Sequence, residues 1–544
     1  MDRRRAARVG RAGRRGGRAR LPAAPSGSGR PRRRVASVAV PFYVTTPIYY
    51  VNAAPHLGHA YTAIAADVLA RHQRQRGEDV FFLTGTDEHG EPVALAAEQL
   101  GIPPLELANR NAQRFQDLMP LLDISNDFFI RTTDPHHVRK VQEILTRVRE
   151  NGFVYEGLYE GWYCPRCADF KTEAEIGPDN TCPIHKIPLV REREENWFFQ
   201  LSAFQGDLER LFDGQPDFVM PRHRYNEARA FLASGLQDVS LTRPKLRWGV
   251  EVPWDRSQVF YVWFDALLNY VTALSFARGK QQDLTHKFWP ATYHLIGKDI
   301  LKFHTIYWPA LLMAADLAVP EHVFVHGFLL TPSDDGGEGE KMSKSRGNVI
   351  DPFGVIDEFG ADALRFYLTR EVAFGQDGPV SESGFLARYE SELANDYGNL
   401  ASRTVAMIRR YRDGVIEDAP LDDELMAEFD GLADTVSACL ERAEMTIALE
   451  EIWKRVRRLN RYVEERAPWQ LAKDPAQAGE LDRVLASLHE GLRVLTVLLV
   501  PYLPAATGKL LAALGRPETE LDAARCAPAP VVRADALEPL FPKR

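Results

Sequence analysis

The 544-residue sequence predicts an α/β fold in which a parallel sheet is interrupted by an insert and followed by an all-α bundle. Short apolar runs, separated by helical stretches, indicate buried strands at residues 38–46, 80–84, 293–296 and 322–325. Such alternation is typical of a doubly wound, Rossmann-like sheet. A composition rich in Cys, Pro, Trp and charged residues indicates the insert, and helical periodicity toward the C-terminus predicts the bundle.

These features divide the chain into consecutive predicted segments. They are a disordered arginine-rich arm at residues 1–37, the first half of the sheet domain at 38–150, the insert at 151–250, the second half of the sheet domain at 251–328, a loop and contact region at 329–382, a helical domain at 383–525 and a tail at 526–544. The first helix is predicted at residues 57–76, where Gly77 ends it. Long amphipathic segments are predicted around residues 386–411, 422–467 and 481–500.

The N-terminal arm holds thirteen arginines and one acidic residue, Asp2, within its first 34 residues. Mixed with Gly, Ala, Ser and Pro, these residues cannot build a core. Three interpretations stay open: residues upstream of the true translation start, an RNA-attracting tail, or an organelle presequence. Subtracting these charges from the 67 basic and 75 acidic residues leaves 54 and 74. The remaining chain is therefore no general nucleic-acid binder, and any RNA contact must use local basic patches.

Hydropathy and cysteine content indicate where in the cell the protein is expected. Apolar stretches are short or carry charge, and even residues 494–500 are preceded by Arg493 and ended by Pro501, so no membrane span is predicted. Five cysteines are too few for a disulfide framework in so long a chain. We therefore expect a soluble, cytoplasmic protein.

Three of the cysteines lie with one histidine in a single short segment. Cys164 and Cys167 form one pair, Cys182 and His185 form another, each pair has two intervening residues, and fourteen residues separate the pairs. This spacing predicts one tetrahedral Zn²⁺ site. Four protein ligands leave no open coordination position, so the zinc is predicted to be structural. Unpaired buried thiols are the alternative interpretation.

A histidine tetrad follows the first predicted strand. His56-Leu57-Gly58-His59 stands at the start of the first helix, at the sheet edge where parallel-sheet folds bind nucleotides. Both imidazoles can donate hydrogen bonds to ATP phosphates and meet the charge that develops on the α-phosphate. Gly58 leaves room for the adenine ring. The alternative is that the histidines only cap the helix.

A lysine-containing segment follows the second half of the predicted sheet. Lys341-Met342-Ser343-Lys344-Ser345 comes directly after the Gly- and acid-rich residues 333–340. This setting predicts a mobile loop that presents Lys341 and Lys344 to triphosphate oxygens. Lysines in such a loop could otherwise be ordinary solvated charges.

The tetrad and the lysine loop, in this order and with a nucleotide-binding sheet between them, resemble the signature of class I aminoacyl-tRNA synthetases. Further segments resemble methionyl-tRNA synthetases in particular: TPIYY at 46–50, TGTDEHG at 84–90, YVWFDA at 261–266 and GKDI at 297–300. The resemblance covers essentially the whole chain after the arm. The cysteine–histidine segment is similar to that of a single-zinc-knuckle subgroup.

The resemblance implies a pocket for the methionine side chain. Its implied lining is Ile48, Tyr50, Trp263, Ala266, Leu267, Tyr270, Ile300 and His304. It also implies that Asp87 pairs with the substrate ammonium. A thioether is polarizable and weakly accepting, so aromatic rings with one Tyr or His donor can select it over leucine. On spacing alone, Trp263 and Tyr270 could be ordinary core residues.

The resemblance also assigns the helical domain to anticodon binding and residues 329–382 to the lysine loop and contact with the tRNA stem. Asn399, Arg403 and Trp469 are similar to the family's anticodon-reading positions. An exposed indole can stack a splayed base, while the Asn and Arg side chains hydrogen-bond base edges. Alternatively, Trp469 anchors the core of the last helices. Arg455, Arg457, Arg458 and Arg461 form a candidate phosphate-facing patch.

The activity implied is that of a methionine–tRNA ligase. Methionine and ATP, with Mg²⁺, give methionyl-AMP and pyrophosphate, and the methionyl group passes to the 3′-terminal adenosine of methionine tRNA for initiation and elongation. A leucine, isoleucine or valine enzyme is an alternative, but 544 residues hardly accommodate its editing insert. A cysteine enzyme with a catalytic zinc and a non-catalytic tRNA-binding relative are further alternatives. A monomer is expected, because the family's longer members carry an additional dimerising domain.

Overall fold

The structure, a computed structural model, describes residues 39–165, 169–171, 176–184, 186–279, 282–331, 340–341 and 351–543. The predicted arm lies outside these residues, as do Cys167, His185 and Lys344. At Lys341 only the main chain is described.

The strands, in chain order, are β1 (Pro41–Thr45), β2 (Tyr49–Tyr50), β3 (Asp79–Asp87), β4 (Phe128–Arg131), β5 (Val154–Cys164), β6 (Asp169–Lys171), β7 (Val190–Phe199), β8 (Val219–Met220), β9 (Val239–Ser240), β10 (Thr242–Arg243), β11 (Glu251–Val252), β12 (Asp255–Phe260), β13 (Tyr293–Gly297), β14 (His322–His326), β15 (Leu329–Thr331), β16 (Glu340–Lys341), β17 (Gly378–Pro379), β18 (Val415–Glu417) and β19 (Val531–Arg533).

The α-helices are α1 (Leu57–Gln75), α2 (Glu91–Leu100), α3 (Pro104–Leu121), α4 (Pro135–Glu150), α5 (Gln205–Gly214), α6 (Arg222–Ala233), α7 (Val262–Leu267), α8 (Asn269–Thr272), α9 (Thr285–Phe288), α10 (Trp308–Ala314), α11 (Pro352–Phe359), α12 (Ala361–Glu371), α13 (Glu382–Arg388), α14 (Asn399–Arg412), α15 (Asp423–Ala427), α16 (Leu432–Glu441), α17 (Met445–Arg466), α18 (Pro468–Leu471), α19 (Ala478–Leu499) and α20 (Pro504–Ala513). Two segments are π-helical, Phe303–Tyr307 and Tyr389–Gly398. Short 3₁₀ helices are Pro178–Asn180, Leu201–Phe204, Ala273–Ser275, Lys298–Ile300, Pro475–Gln477 and Leu521–Ala523.

The main sheet is parallel, with strand order β4–β3–β1–β13–β14–β8 and with β2 pairing at the end of β3. The four strands predicted from apolar runs correspond to β1, β3, β13 and β14. Strands β4 and β8 are not among the predicted ones. Because β8 lies within the segment predicted as an insert, that segment also contributes an edge strand to the sheet.

Successive residues of the central strands face two different cores. Phe42 and Val44 of β1 belong to the core that contains α1, whereas Tyr43 between them belongs to the core on the other face, which contains side chains of α4 and α10. Alternation with a period of two is the geometry of an extended strand, and both of its faces are covered here. This is why the strands appear in the sequence as continuous apolar runs.

The insert is built on a long antiparallel ribbon. Strands β5 and β7 pair from Val154 opposite Phe199 to Tyr163 opposite Val190, with β6 added to β5 and β9 added to β7. Cys164 is the last residue of β5 and therefore lies at the far end of the ribbon from Val154. The first of the predicted metal ligands thus lies at a ribbon tip.

The C-terminal part is helical from α13 onward, as predicted. The predicted segment 422–467 is divided into α15, α16 and α17, because Gly431 and Ala443 adopt positive φ angles of 71° and 54° and break the helical path. The segment predicted as a tail packs on the bundle: β19 pairs with β18, and Phe541 is buried. Among the described residues no helix is long and apolar enough to cross a membrane.

Candidate active site

A cavity of about 310 Å³ lies at the carboxyl ends of β1, β3, β13 and β14. This edge of a parallel sheet is where open α/β folds bind nucleotides. Predicted site residues from both the tetrad and the side-chain pocket line it: Ile48, Tyr50, His56, Gly58, His59, Asp87, Trp263, Ala266, Leu267, Tyr270, Ile300 and His304. The fold therefore brings two groups of residues, predicted on separate grounds, into one space.

His56 and His59 stack at the start of α1, with ring centroids 3.7 Å apart. His56 is the N-cap: its Nδ1 accepts a hydrogen bond from the Gly58 amide at 3.1 Å, and His59 Nδ1 accepts one from the His56 amide at 3.2 Å. The accepting nitrogen of a neutral imidazole carries no proton, so we assign the proton of each ring to Nε2. Capping and phosphate binding are therefore compatible, because the cap uses Nδ1 and each ring carries its proton on the other nitrogen, Nε2.

Gly58 is required by this arrangement. A Cβ atom at Gly58 would lie 3.0 Å from Cε1 and 3.2 Å from Nδ1 of His56. Glycine therefore keeps space for the capping imidazole. One turn further along α1, the Thr62 hydroxyl lies 2.8 Å from His326 Nε2 and links the helix to the end of β14. His326 also lines the cavity, although no motif in the sequence indicates it.

Tyr270 and His304 form a polar end of the side-chain pocket. His304 Nδ1 lies 3.1 Å from the carbonyl oxygen of Ile300, which can only accept, so Nδ1 carries the proton. His304 Nε2 then accepts a hydrogen bond from the Tyr270 hydroxyl at 2.9 Å. Burial lowers the pKa of His304 to about 4, which keeps the ring neutral near pH 7. The hydroxyl of Tyr270 is thereby held at a defined position at the pocket.

Aromatic rings form a wall of the same pocket. The Trp263 ring stacks on Phe303 with centroids 3.8 Å apart and planes 6° apart, and Tyr50 meets Trp263 edge-on at 6.4 Å. Trp263 Nε1 has no hydrogen-bond partner among the described residues. Phe303, in the π-helical segment, was not predicted as a site residue. These rings give a flat, polarizable surface suited to a long unbranched side chain.

Asp87 ends β3 as a buried carboxylate at the cavity. Its Oδ1 has no hydrogen-bond partner within the described part of the chain. Burial, reinforced by the nearby Asp265 carboxylate, raises the pKa of Asp87 well above its ordinary value. A buried acceptor of this kind is costly unless a ligand supplies a partner. An ammonium group would satisfy both the oxygen and the charge.

Asp265 lies beside this site, between two histidines that the sequence analysis did not assign. His89 Nδ1 is 2.6 Å from Asp265 Oδ2, and His137 Nε2 is 2.8 Å from Oδ1. Burial opposes ionisation of this carboxyl, but His89 and His137 outweigh it and lower the pKa of Asp265 to about 2. Asp265 thus stays ionised while neighbouring Asp87 is driven toward the neutral form. The two carboxyls differ because two histidines hold Asp265, whereas Oδ1 of Asp87 has no hydrogen-bond partner among the described residues.

The predicted zinc ligands are described only in part. Cys164 and Cys182 are both fully buried in one small cluster with Leu189. Cys182 starts a tight turn in which its carbonyl accepts a hydrogen bond from the Lys186 amide at 2.8 Å. Because Cys167 and His185 lie outside the described residues, the part of the chain that is described holds no set of three metal-binding side chains. Two buried thiols in one cluster are two of the four donors that the predicted site requires.

The predicted anticodon residues come together on the bundle surface. Asn399, exposed, is the first residue of α14, and Arg403 lies one turn along the same helix. The Arg403 guanidinium lies over the Trp469 ring, 5.8 Å from its centroid, and donates to Glu464 Oε1 at 2.8 Å. Trp469 is half-buried, which corrects the expectation of an exposed indole: one part of the ring packs on the bundle core.

The arginines of the candidate phosphate-facing patch are less available to bind phosphate than the sequence suggests. Three of its arginines form ion pairs with carboxylates: Arg455 with Glu451, Arg457 with Glu450, and Arg458 with Glu428 and Glu465. Arg461 is exposed. A phosphate would have to compete with these carboxylates, so the patch is weaker as an anion site than its basic residues alone imply.

Comparisons with known proteins identify the family. The sequence matches the family described as tRNA synthetases class I (M) over residues 42–188 and 178–405. The methionine–tRNA ligase of Caldanaerobacter subterraneus is 45% identical over 478 residues, which cover 87% of this chain and 74% of that protein. The methionine–tRNA ligase of Bacillus subtilis is 42% identical over 500 residues, which cover 89% of this chain and 74% of that protein. The chain belongs to the methionyl-tRNA synthetase family.

Solved structures of methionyl-tRNA synthetases share the fold. The Mycobacterium tuberculosis methionyl-tRNA synthetase in complex with methionyl-adenylate is 40% identical, with a TM-score of 0.87, and the match covers 93% of this chain and 100% of that one. The apo form of that enzyme matches with a TM-score of 0.81 at 36% identity, over 94% and 99% of the two chains. Membership of the methionyl-tRNA synthetase family confirms the predicted resemblance and the α/β fold with a helical C-terminal region. It also sets aside the leucine, isoleucine, valine and cysteine alternatives.

Proposed function

We propose that the cavity at the sheet edge is the site at which this chain acts as a methionine–tRNA ligase. A carboxylate oxygen of methionine attacks the α-phosphorus of ATP, and pyrophosphate leaves. The terminal ribose hydroxyl of methionine tRNA then attacks the carbonyl carbon of methionyl-AMP, and AMP leaves. The observation that carries the proposal is the joint lining of one cavity by a stacked imidazole pair, a Tyr–His pocket and a buried carboxyl group whose Oδ1 has no hydrogen-bond partner among the described residues. Methionine-dependent exchange of pyrophosphate into ATP tests it directly.

No residue needs to act as a covalent nucleophile in this scheme. The chain positions the attacking carboxylate and stabilises negative charge on the phosphates. The Nε2–H groups assigned to His56 and His59 serve as donors toward that charge. Strand β15 begins at the cavity residue Leu329, and its next residue, Leu330, pairs with Lys341 of β16. This pairing supports a return of the lysine loop to the cavity, where Lys341 and Lys344 would add positive charge. Mg²⁺ that accompanies ATP supplies further charge neutralisation at the phosphates.

Selection of methionine rests on the polar end and the aromatic wall of the pocket. With the Tyr270 hydroxyl proton directed to His304, the phenolic oxygen and the rings offer contact to a thioether without demanding a hydrogen-bond donor from it. A hydroxyl or a charged side chain would lose its hydration there without full compensation. The charged α-ammonium group of methionine has a separate partner, the carboxylate of Asp87. Ile48, Ala266 and Leu267 fill the apolar remainder.

Replacement of Lys344 by alanine is expected to slow adenylate formation by roughly 10²–10³-fold, because one charged donor to the transition state is lost. Pyrophosphate exchange at saturating methionine and ATP measures the rate, and the KM for methionine should change little. Lys287→Ala, at an exposed lysine that pairs with Asp79, is the matched control and should leave the rate unchanged. An unaltered exchange rate in Lys344→Ala removes this lysine from the mechanism.

For the tRNA, we propose that the face formed by Asn399, Arg403 and Trp469 reads the anticodon. The guanidinium held over the indole supports this proposal, because a splayed base can stack on the exposed part of such a platform. Asn399, exposed at the helix start, can hydrogen-bond a base edge. The contact of Trp469 with the core gives the platform a fixed orientation.

Trp469→Ala is expected to reduce charging of methionine tRNA roughly 5- to 150-fold, since stacking contributes about 1–3 kcal/mol per base. Pyrophosphate exchange, which needs no tRNA, should be spared. Trp469→Phe keeps an aromatic face and should retain most of the charging activity. Equal losses in exchange and charging would instead identify Trp469 as a purely structural anchor.

We propose a single structural zinc held by Cys164, Cys167, Cys182 and His185. The burial of Cys164 and Cys182 at the ribbon tip supports this donor set. When bound, the metal would cross-link the loop ends of the insert and contribute to its folding. The chain would then fall in the single-knuckle subgroup.

Elemental analysis of the purified protein is expected to find about one equivalent of zinc, and Cys164→Ser should lose it. Cys439→Ser, at a buried cysteine of the bundle, is the matched control and should retain the metal. A metal-free protein with full exchange and charging activity would contradict the zinc assignment.

We propose the sequence-derived domain boundaries, a cytoplasmic location and a monomeric state. Sedimentation of the purified protein near 61.4 kDa would support the monomer, and a mass near twice that value would contradict it.

A further inference from the structure

Helix α1 connects the candidate active site to the helical bundle. Its N-terminus carries His56 and His59, and its C-terminal end, about 28 Å away, meets the bundle. There the Gln75 side-chain amide donates to the carbonyl oxygens of Val497 at 2.9 Å and Thr519 at 2.8 Å. His72 also approaches Ser437 Oγ at 3.0 Å, and Arg76 pairs with Glu441.

A buried ion pair anchors the middle of the same helix. Asp67 of α1 and Arg365 of α12 are both fully buried, with Oδ2 and Nη2 2.7 Å apart. The same guanidinium donates to the carbonyl oxygens of Pro501 at 2.7 Å, Tyr502 at 3.1 Å and Leu122 at 3.1 Å. One side chain therefore ties together α1, α12, the turn between α19 and α20, and the end of α3.

The network around Asp67 and Arg365, which we call the joint, consists of ionised groups. Burial alone would favour the neutral form of Asp67, yet Arg365 and Arg71 hold its pKa below the ordinary value. Arg71 Nε lies 2.7 Å from the same Oδ2 atom, and its Nη2 lies 2.9 Å from Asp123 Oδ1. The joint is thus an ionised, fully hydrogen-bonded network rather than an apolar contact.

A buried ion pair is an inefficient way to stabilise a fold, because desolvation offsets much of the attraction. A guanidinium instead fixes the geometry of its partners, because its N–H donors form a rigid, planar fork that can hydrogen-bond to only one arrangement of acceptors. Methionine and ATP occupy only the cavity at one end of α1. A tRNA bound by the bundle and charged at the cavity touches both ends, so it alone requires a fixed geometry between them.

We propose that Arg365, acting with Gln75, is a positioning residue for tRNA charging: it holds α1 and the helical bundle in one arrangement, so that a tRNA gripped at the bundle presents its 3′ end beside His56 and His59. The proposal rests on the function proposed above. It assigns these residues no contact with substrate and no part in methionine activation.

The test compares a full-length methionine tRNA transcript with an acceptor-stem RNA that lacks the anticodon arm. For each variant, kcat/KM for charging is measured on both RNAs, together with methionine-dependent pyrophosphate exchange. We compare variants by the ratio of kcat/KM for the full-length tRNA to kcat/KM for the acceptor-stem RNA. This ratio does not depend on the fraction of active enzyme. In Arg365→Met, we expect this ratio to fall roughly tenfold or more, because a displaced substrate loses its reactive alignment. Pyrophosphate exchange should stay within roughly threefold of the unmodified chain.

Milder variants keep the test valid if Arg365→Met folds poorly. Arg365→Lys keeps the charge but loses the fork, and Gln75→Leu removes two hydrogen bonds, so both should lower the ratio by smaller amounts. Arg493→Met is the matched control. Arg493 pairs with Glu490 at 2.6 Å and is as deeply buried, but both residues belong to α19. It should lower the melting temperature without changing the ratio.

Several results would overturn the proposal. A ratio that stays unchanged in Arg365→Met while the melting temperature falls assigns the residue a structural role only. An equal change of the ratio in Arg493→Met shows that the effect is not specific to the joint. Equal charging of both RNAs by the unmodified chain would also overturn the proposal, because charging would then not need the anticodon arm to align the 3′ end. Absence of methionine-dependent exchange in the unmodified chain would instead refute the proposed function.

Discussion

Replacing Asp87 by asparagine is expected to lower kcat/KM for methionine about 10²–10³-fold, while the KM for ATP changes little. The variant keeps the shape of the side chain and removes the negative charge that faces the substrate ammonium. Leaving one member of a buried ion pair without its partner costs about 3–5 kcal/mol, and each 1.4 kcal/mol is a factor of ten. Pyrophosphate exchange over a range of methionine concentrations measures the effect.

Glu88→Gln is the matched control for Asp87→Asn. The Glu88 carboxylate is the next residue and equally buried, but it is engaged by Arg131 at 2.6 and 2.8 Å and by Thr133. Its replacement should lower stability without a comparable rise in the KM for methionine. If Asp87→Asn binds methionine as well as the unmodified chain, Asp87 does not hold the ammonium group.

The charge of Asp87 also predicts a pH dependence. Burial and Asp265 raise the pKa of Asp87 in the unliganded chain, so below that pKa the carboxyl is protonated. Methionine must then displace one proton to gain its ion pair. Its apparent affinity should therefore rise with pH, roughly tenfold per unit, up to the raised pKa. Asp87→Asn, which has no proton to release, should lose this slope.

The second large effect is expected for His56→Asn, with a roughly 10²–10³-fold fall in the pyrophosphate-exchange rate at saturating substrates. Asparagine is a good N-cap and can replace the acceptor that Nδ1 offers to the Gly58 amide. It has no donor at the position of Nε2. The variant therefore separates the structural role of His56 from its proposed role at the phosphates.

His56→Ala completes that comparison. It loses both the cap and the donor, so it should exchange as slowly as His56→Asn and also unfold more easily, by about 1 kcal/mol. Calorimetry measures the stability difference between the two variants. An exchange rate for His56→Asn within threefold of the unmodified chain would mean that capping is the only function of this histidine.

Much of the sheet could be predicted because its strands are buried on both faces. The apolar runs of β1, β3, β13 and β14 carry that signal, and Gly77 marks the end of α1 with a positive φ angle of 83°. Strand β8 carries no comparable signal, because it has only two residues and pairs with β14 across a long sequence separation. The breaks at Gly431 and Ala443 were missed because the amphipathic pattern continues on both sides of each residue.

The candidate site, like the sheet, contains residues that the sequence predicts and residues that only the fold reveals. The stacked histidines and the pocket residues belong to short motifs whose spacing can be recognised. The network of His89, Asp265 and His137 joins three separate elements, and nothing in the local sequence of His137 indicates that its ring meets Asp265. Arg365 is similar: an arginine in a helical pattern is expected at the surface, and only the fold shows that it is fully buried.

The central claim is that this cavity activates methionine, and its most direct test is ATP–pyrophosphate exchange with methionine in parallel with leucine, isoleucine, valine and cysteine. We expect exchange with methionine, at a kcat/KM roughly 100-fold or more above that for each of the other amino acids. Exchange that is fastest with another amino acid, or no exchange with methionine at all, would contradict it.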